Sequence, residues 1–532
     1  MPILAGWLTG EQVSQEIIEQ TLAAMGAVLG QHGGQPAQTI QPGAGLIAFS
    51  DPAYAMQQNH EPPVLDWVPD RRTLVYRRPL SGMHALYYIE NWPAEGNLLF
   101  ASEIKALLAV GVPRRLHLAA LAALSRYGFI PAPWTAFKEI RVVPAGSILR
   151  WQRAKTVVNH ATDYHLDEPY PQPASADHLD TLLNETIPAL LPPHEQLVAL
   201  TGGGQPSALS TLLAARHTTT PFSIASLGYT NAQSSRTWKQ VEHIAATAAL
   251  PLLAINGVDQ PEFWTATLAA TEAPSIDTRP LAWHQLLHTA SSETGARVAV
   301  SGLGAHILIG TAMSRLAGRY VKTTQENMLS AYAHMLTGPS NEWIPPLWSQ
   351  DAGELLQKEE RWEDSLHARK LARRAGQFQD QQQGYYYLDL HLRLPDLLVN
   401  VAQQVAMQER MVVRSPYLHT ATIDMLTRLP AVLHDDLSKS QLFSSLIQRY
   451  VTDSGKESVT LPLVAPTSSL TQIDGSELLQ QTLSLEALQA TNIFDPQVVK
   501  ELMQHSTRGK VAPELLLVFT TQLLCQLFGV TL

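Results

Sequence analysis

The stretch ALTGGGQPSALSTLLAARH, residues 199–217, decides the predicted fold of the chain around it. An apolar run ends at Leu200, three glycines follow, and a helical pattern of apolar residues begins near Ser207. Glycine lets the backbone approach a ligand closely, and the first N–H groups of a helix attract anions. Pro206 is tolerated in a first helical turn, where its missing N–H is not needed. The stretch therefore predicts a strand, a turn and a helix, typical either of tight packing or of a phosphate site.

Strands and helices alternate on both sides of this turn, which favours a parallel sheet covered on both faces. We predict strands at 196–200, 221–227, 251–255 and within ARVAVSG (296–302), with helices at 207–216 and 238–249. From about residue 310 the pattern is mostly helical. The fold class predicted for this part of the chain is α/β.

The N-terminal part has a different pattern. Short apolar runs such as 73–76 and 85–89 are separated by turn residues, which suits an α+β domain. The stretch DYHLDEPYPQPASAD (163–177) is rich in proline and acid, and prolines favour extended backbone, so it is interpreted as a linker. We therefore predict an N-terminal domain at 1–162, a linker at 163–177 and a second domain at 178–532.

Composition limits the function classes. A chain of 532 residues suggests two or three domains, and its net charge of −10 gives no basic stripe for nucleic acid. The single cysteine, Cys525, excludes a disulfide framework and a cysteine-based zinc site, and suits a reducing cytoplasm. The start MPILAGWLTGEQ lacks the basic region of a signal peptide. The apolar segment 515–532 contains Gln522 and Gln526, so we predict a packed helix and no membrane partner.

Several stretches, taken in order, resemble the asparagine synthetases and their relatives, the β-lactam synthetases and lasso-peptide cyclases. Residues 199–217 are similar to their pyrophosphatase loop, Ser-Gly-Gly-x-Asp-Ser-Ser. The two most specific pieces are FASEIKAL (100–107) and VSGLGA (300–305), which resemble Phe-Ala-Ser-Glu-x-Lys-x-Leu and the turn Ser-Gly-x-Gly-Ala-Asp-Glu. The other similar stretches are MPILAGWL (1–8), the remainder of 74–111, FIPAPWTAFKEIRVVPAGSIL (129–149), the remainder of 272–310 and RSPYLHTATIDMLTRLP (414–430).

The resemblance implies a truncated N-terminal glutamine-amidotransferase-like (Ntn-type) α+β domain. A parallel-sheet ATP-pyrophosphatase-like synthetase domain with a helical C-terminal part would follow it. The family's glutaminase nucleophile is a cysteine after the initiator methionine, but here that position is Pro2, and Cys525 cannot replace it. The segment from Met25 to Asp66 is also too short for the usual glutamine pocket. The resemblance therefore implies an N-terminal domain that does not use glutamine.

The synthetase motifs also depart from the family pattern. The two aspartates that hold magnesium and ATP correspond to Gln205 and His306, although magnesium prefers carboxylate oxygens. Losing one such group costs about 10²–10³ in rate. A lone histidine at a strand end is more often a hydrogen-bonded polar residue than a metal ligand, so we predict no metal site at His306. Further departures are Ile307 for a glutamate, Val401 and Gln403 for a lysine–aspartate pair, His419 for a closing acid, and no lysine or arginine within VTLPLVAPTSSLTQ (459–472).

These residues indicate a degenerate family member that acts as a binding or scaffold partner in an ATP-dependent amide-forming pathway, such as peptide or natural-product tailoring. Its expected partners are another protein or a second copy of the chain, with a peptide or small molecule as ligand. No catalytic residue and no cofactor are predicted. The alternative is an active ATP-dependent amide ligase that forms an acyl-adenylate with rearranged metal ligands, using ATP and magnesium. A ligand-sensing module is a third class.

The opening turn and the second glycine turn are expected to surround an anion-sized hollow at the carboxyl ends of parallel strands. Without carboxylates there, we expect weak nucleotide binding that does not depend on magnesium. The predicted nucleotide- or anion-binding residues of this degenerate loop are Thr201, Gly202, Gly203, Gln205, Ser207, Ser301, Gly302, Gly304 and His306.

Overall fold

The protein is described by a computed structural model, which contains two antiparallel sheets followed by one parallel sheet. The ranges that it describes are 3–11, 13–50, 65–171, 175–229, 235–257, 261–310, 327–337, 344–429, 439–451, 473–505 and 511–532. Pro2 and the segment 459–472, both used in the sequence comparison, lie outside these ranges.

The strands are β1 (Ile3–Leu8), β2 (Gln35–Gln41), β3 (Ala44–Ser50), β4 (Leu65–Val68), β5 (Thr73–Arg77), β6 (Tyr87–Glu90), β7 (Leu98–Ala101), β8 (Arg141–Val142), β9 (Ser147–Gln152), β10 (Lys155–His160), β11 (Leu197–Leu200), β12 (Ser223–Gly228), β13 (Leu252–Asn256), β14 (Val298–Val300) and β15 (Val412–Arg414).

The α-helices are α1 (Gln15–Leu29), α2 (Ile104–Leu108), α3 (Leu118–Tyr127), α4 (Ala176–Leu190), α5 (Gln205–His217), α6 (Arg236–Ala248), α7 (Pro261–Thr271), α8 (Arg279–Thr294), α9 (Ala305–Leu308), α10 (Met328–Thr337), α11 (Ile344–Leu347), α12 (Gln350–Lys358), α13 (Leu366–Ala375), α14 (Gln381–Leu388), α15 (Asn400–Gln408), α16 (Thr420–Arg428), α17 (Lys439–Ile447), α18 (Ile473–Thr482), α19 (Leu485–Thr491), α20 (Pro496–His505) and α21 (Pro513–Phe528). Short 3₁₀ helices are formed by Gly30–His32, Pro69–Arg71, Trp362–Asp364 and Pro416–Leu418, and a π-helix by Asp389–Val399.

The N-terminal part has a helical layer on two sheets. The first sheet has the strand order β2-β3-β1-β7-β6-β8 and the second β10-β9-β5-β4. Side chains alternate across β1: Leu4 and Leu8 pack toward the second sheet, whereas Trp7 belongs to the core on the other side, which also contains Leu22 of α1. This alternation follows from the two-residue repeat of a strand and accounts for the apolar residues at every position of β1.

The C-terminal part is built on the parallel sheet β13-β12-β11-β14-β15. The predicted parallel pairing of the strands near 196–200 and 298–300 is confirmed, because Leu197 pairs with Val298 and Ala199 with Val300. β11 is central and buried at all four residues, as expected of a strand covered on both faces. The predicted α/β fold with an α+β N-terminal domain is thus confirmed.

The helical remainder encloses the sheet and reaches back to the N-terminal part. The segment predicted as a packed terminal helix forms α21, whose apolar residues from Leu515 to Leu524 are buried. Within the described ranges, every helix is too short or too polar to cross a lipid bilayer. The π-helix lies between the two parts of the chain, and its Pro395 contacts the turn at Gly82. Because π-helices are rare and frequently occur at functional sites, the residues around this π-helix are candidates for a functional role.

Candidate functional site

The opening glycine turn forms the predicted strand–turn–helix. Thr201 follows β11 directly, Gly203 adopts a positive φ of 82°, and Gly204 is the N-cap of α5. The Thr201 and Ser207 hydroxyls lie 3.0 Å apart, and the Gly203 N–H donates to Thr201 Oγ1 at 3.2 Å. Ser207 Oγ also donates to the Gly204 carbonyl at 2.9 Å. The polar side chains of this turn are therefore hydrogen-bonded within the turn itself.

The second glycine turn packs directly against the first. It follows β14, and a Cβ built on Gly302 would lie 2.8 Å from the Ser207 amide nitrogen and 3.0 Å from its Cα. Ser301 is buried, and its hydroxyl accepts the Leu303 N–H at 3.3 Å. Gly304, with φ 85°, is the N-cap of α9. The structure therefore brings the two predicted turns together at the same edge of the sheet.

The segment RSPYLH, which begins at the last residue of β15, contacts both glycine turns. In the motif RSPYLH, the Tyr417 hydroxyl donates to the Pro206 carbonyl at 2.8 Å, which fixes the first turn. Ser415 Oγ donates to the Leu303 carbonyl at 2.8 Å, and Leu418 packs on Gly304 in the second turn. The motif thus holds both turns in place.

Gln205, which the resemblance places at the first family carboxylate, is buried with 5% of its surface exposed. Its Nε2 donates to Ser444 Oγ on α17 at 3.0 Å, and the Ser444 hydroxyl lies 3.3 Å from its Oε1. Phe443, the neighbour of Ser444, is buried with its ring 5.7 Å from that of Tyr417. Helix α17 therefore covers the first turn and engages the amide of Gln205.

The other positions that the sequence comparison singled out have different surroundings. His306 is exposed on α9, and the adjacent Ile307 is buried. Gln403 donates to the carbonyl of Val413, the middle residue of β15, at 2.8 Å. The roles of the nine predicted anion-site residues stay predictions, although both turns that carry them are now placed.

A buried polar network that the sequence reasoning missed joins the two parts of the chain. The carboxyl group of Glu272, which has no exposed surface, accepts the N–H groups of Ile104 at 2.8 Å and Lys105 at 2.7 Å. Lys105 Nζ lies 2.8 Å from Glu103 Oε1, and His32 Nε2 lies 2.9 Å from Glu103 Oε2. The stretch FASEIKAL therefore connects the two parts: its helix α2 offers its first N–H groups to an acid from the synthetase-like part.

A second buried contact crosses the same boundary. Arg78 has 2% of its surface exposed and donates to the carbonyls of Gly82 and Val143, both at 2.8 Å. Its guanidinium lies 3.9 Å from Asp396 on the π-helix, and Asp396 also accepts the Ala132 N–H at 2.9 Å. Burial raises the pKa of Asp396 to about 6, against the effect of the nearby Arg78.

Two cavities lie at this boundary. The smaller, of about 90 Å³, is lined by Glu272, Asp396, Tyr87 and Gln404, among others, and Gln404 Nε2 donates to the Tyr87 hydroxyl at 2.8 Å. Burial raises the pKa of Glu272 to about 8, opposed by the Lys105 ammonium. Perturbed carboxyl groups around a cavity are typical of functional sites as well as of structural networks.

The larger cavity, of about 1080 Å³, is at the upper end of the range for ligand sites. It lies between α3 and the helical part of the synthetase-like region. Its lining combines apolar alanines of α3 with charged groups of both signs, including the pair Arg126 Nε–Glu363 Oε1 at 3.1 Å and Arg393 of the π-helix. Such a lining suits an extended ligand with polar and apolar parts.

Comparison with known families gives two matches, in the same order as the sheets. A model of the asparagine synthase family matches residues 179–524, which is more than half of the chain. The chain belongs to the asparagine synthase family. A glutamine amidotransferase domain model matches residues 65–164. A search of curated proteins found no match.

Membership of the asparagine synthase family, whose enzymes form amides with ATP, implies magnesium and ATP at the paired turns. The residues present do not fit magnesium there. The resemblance assigns the first carboxylate position to Gln205, whose neutral amide is hydrogen-bonded to Ser444, and the second to His306, an imidazole. Magnesium takes oxygen ligands and usually at least one carboxylate, so this donor set is unsuitable.

The contact between the turns gives a stability prediction. We expect Gly302→Ala to lower the free energy of unfolding by about 1–3 kcal/mol, because its Cβ would meet the backbone of Ser207. Gly353→Ala on α12 is the matched control, since a Cβ there meets no atom within 4 Å. This control should stabilise the protein by about 0.5–1 kcal/mol. Chemical denaturation of both variants measures the difference, and equal values would mean that the turns are not in contact.

Proposed function

We propose that this member of the asparagine synthase family does not adenylate a substrate, and that it binds a peptide or protein partner in an amide-forming pathway. One observation carries the proposal: the amide of Gln205, at the position that the resemblance assigns to a magnesium-binding carboxylate, is hydrogen-bonded to Ser444. An acidic side chain at this position would attract a divalent cation, whereas a buried amide with partners for both its atoms does not.

The hydrogen bonds of the turn support the same conclusion. Metal-free ATP carries about four negative charges and would meet only N–H groups and hydroxyls at these turns. The Thr201 and Ser207 hydroxyls are already bonded to each other, so a phosphate would have to replace that hydrogen bond. We therefore expect ATP to bind weakly and without a requirement for magnesium.

The boundary between the two parts supports a binding role. Buried groups such as Glu272 and Arg78 make the N-terminal domain an integral part of the molecule, whether or not it hydrolyses glutamine. The cavity of about 1080 Å³ beside this boundary offers room for a short peptide segment. In this proposal the protein retains the family fold and uses it to bind a partner.

The test is a calorimetric titration with ATP, with and without magnesium, together with exchange of labelled pyrophosphate into ATP. The unmodified protein should bind ATP equally weakly in both conditions and show no exchange. The double variant Gln205→Asp, His306→Asp restores both carboxylates, and should make ATP binding depend on magnesium before any catalysis returns.

Ser444→Ala is the matched control, because it frees the Gln205 amide without adding charge. It should leave ATP binding independent of magnesium. Robust pyrophosphate exchange by the unmodified protein alone would contradict the proposal and would indicate a rearranged active site.

A second candidate function, an active ATP-dependent amide ligase, is favoured by one observation. Glu272 and Asp396 both line the smaller cavity, and burial raises the pKa of each, as is common for groups that transfer protons. Such a ligase would exchange labelled pyrophosphate into ATP in its unmodified form, whereas a protein that does not adenylate shows no exchange.

A further inference from the structure

A cluster of two histidines and an aspartate lies away from the glycine turns, where the N-terminal part meets the π-helix. His160 is the last residue of β10, Asp163 follows it three residues later, and His391 lies on the π-helix. One side-chain ligand atom from each lies within 4.8 Å of the other two. Two imidazole nitrogens and a carboxylate oxygen form a donor set that suits zinc and its neighbours among the transition metals.

We propose that His160, Asp163 and His391 form a binding site for a divalent transition metal of the zinc type, which joins the end of β10 to the π-helix. The proposal is independent of the function proposed above, because none of these residues lies in the glycine turns or lines the two cavities at the boundary.

The His391 ring is hydrogen-bonded to Asp163, and the three groups are close enough for a metal to replace that hydrogen bond. His391 Nε2 lies 2.9 Å from Asp163 Oδ1, whereas His160 Nε2 lies 4.0 Å from the same oxygen, beyond hydrogen-bond range. Ligands about 2.0–2.2 Å from a tetrahedral zinc ion are roughly 3.4 Å apart. A metal between the three groups therefore needs only small side-chain shifts of less than about 1 Å.

The surrounding structure holds the ligands in place. The Ala161 and Thr162 N–H groups both donate to the Gly146 carbonyl, at 2.9 and 3.0 Å, which fixes the segment between His160 and Asp163. The Tyr164 hydroxyl donates to the carbonyls of Leu80 at 2.9 Å and Leu390 at 3.3 Å, and so ties this segment to the neighbour of His391.

Second contacts orient the individual groups, as is usual around metal ligands. The Tyr387 hydroxyl donates to Asp163 Oδ2 at 3.2 Å, and the Tyr164 N–H donates to Asp163 Oδ1 at 2.8 Å. The His391 ring is 2% exposed and packs against Tyr387, with ring centroids 4.3 Å apart.

A positively charged side chain, that of Lys370, lies near the cluster. Lys370 is exposed, and its positive charge opposes a cation here only weakly because water screens it.

The test uses the full chain without an affinity tag, stripped of metal with a chelator and titrated with zinc chloride. We expect one zinc ion per chain, and His160→Gln should weaken binding at least about tenfold. His165→Gln is the matched control, because His165 is exposed, belongs to an ion pair with Glu168 and lies only five residues away. It should bind zinc as the unmodified protein does.

Cobalt chloride gives a second readout, since cobalt bound by two imidazoles and a carboxylate absorbs visible light. The absorption should appear in the unmodified protein and in His165→Gln, and be lost in His160→Gln. If His160→Gln does not fold, as judged by its circular dichroism, Asp163→Asn replaces it with the same expectation. Equal zinc affinity in the cluster variant and the unmodified protein, or no stoichiometric zinc binding by the folded unmodified protein, would overturn the proposal.

Discussion

Glu272→Ala is expected to lower the free energy of unfolding by about 2–6 kcal/mol, because each of two buried N–H groups then loses its acceptor at a cost of about 1–3 kcal/mol. Both donors, from Ile104 and Lys105, belong to the first turn of α2, so the loss falls on the boundary between the two parts. Glu272 also has a φ of 52°, an unfavourable value for a glutamate, which indicates that its position is held by these contacts. Urea denaturation followed by circular dichroism measures the change.

The pH dependence of the stability loss in Glu272→Ala provides a control for this prediction. Burial raises the pKa of Glu272 from its ordinary value of 4.5 to about 8. A carboxyl group whose pKa is raised by folding stabilises the protein most below its ordinary pKa, and this contribution is lost as the pH rises through the folded value. The cost of Glu272→Ala should therefore be larger at pH 5 than at pH 9. Glu272→Gln, which does not titrate, should remove this part of the pH dependence, and a cost that rises with pH would contradict the assignment.

Much of the fold could be predicted from the sequence, because its signals are local. The strand near 196–200, the glycine turn and the helix after it are formed by neighbouring residues, and parallel pairing with β14 followed from the alternation of strands and helices. β15 was missed because it lies in the region after residue 310, where the pattern is mostly helical. The π-helix could not be predicted either, since its apolar spacing differs too little from that of an α-helix.

The site was less predictable, because its decisive contacts join distant residues. The resemblance predicts that Gln205 stands at a carboxylate position, but the partner of Gln205, Ser444, lies 239 residues further on. Glu272 meets α2 across 168 residues. The one signal that could have directed attention to Glu272 is its place at the start of a stretch already recognised as similar to the family. Likewise, the sequence HATD contains His160 and Asp163 of the proposed metal site, but His391 lies 228 residues after Asp163.

Several long-range contacts in the structure involve the π-helix. Asp396 meets Arg78, His391 meets Asp163, and Leu394 packs near Gly304 of the second glycine turn. The π-helix therefore connects the N-terminal sheets to the edge of the parallel sheet where the turns lie. A change in how the π-helix packs on the N-terminal part should therefore alter the structure at both the N-terminal sheets and the glycine turns.

Gly82→Ala tests this connection and should have the other large effect. Gly82 has a φ of 81°, and a Cβ there would lie 2.3 Å from Pro395 Cβ and 2.4 Å from its Cα. The backbone conformation costs about 1–2 kcal/mol for a residue other than glycine, and the overlap adds about 1–3 kcal/mol. We therefore expect a total loss of about 2–5 kcal/mol in the free energy of unfolding.

Gly33→Ala separates the two terms of this prediction. Gly33 has nearly the same φ, 84°, but a Cβ there meets no atom within 4 Å, so this variant should lose only the backbone term. The difference between the two variants, measured by urea denaturation, then reports the contact with Pro395 alone. Because the overlap involves the backbone of the π-helix, that helix must move, and hydrogen exchange within 389–399 should increase in Gly82→Ala but not in Gly33→Ala. Equal losses and equal exchange in the two variants would mean that the N-terminal turn does not support the π-helix.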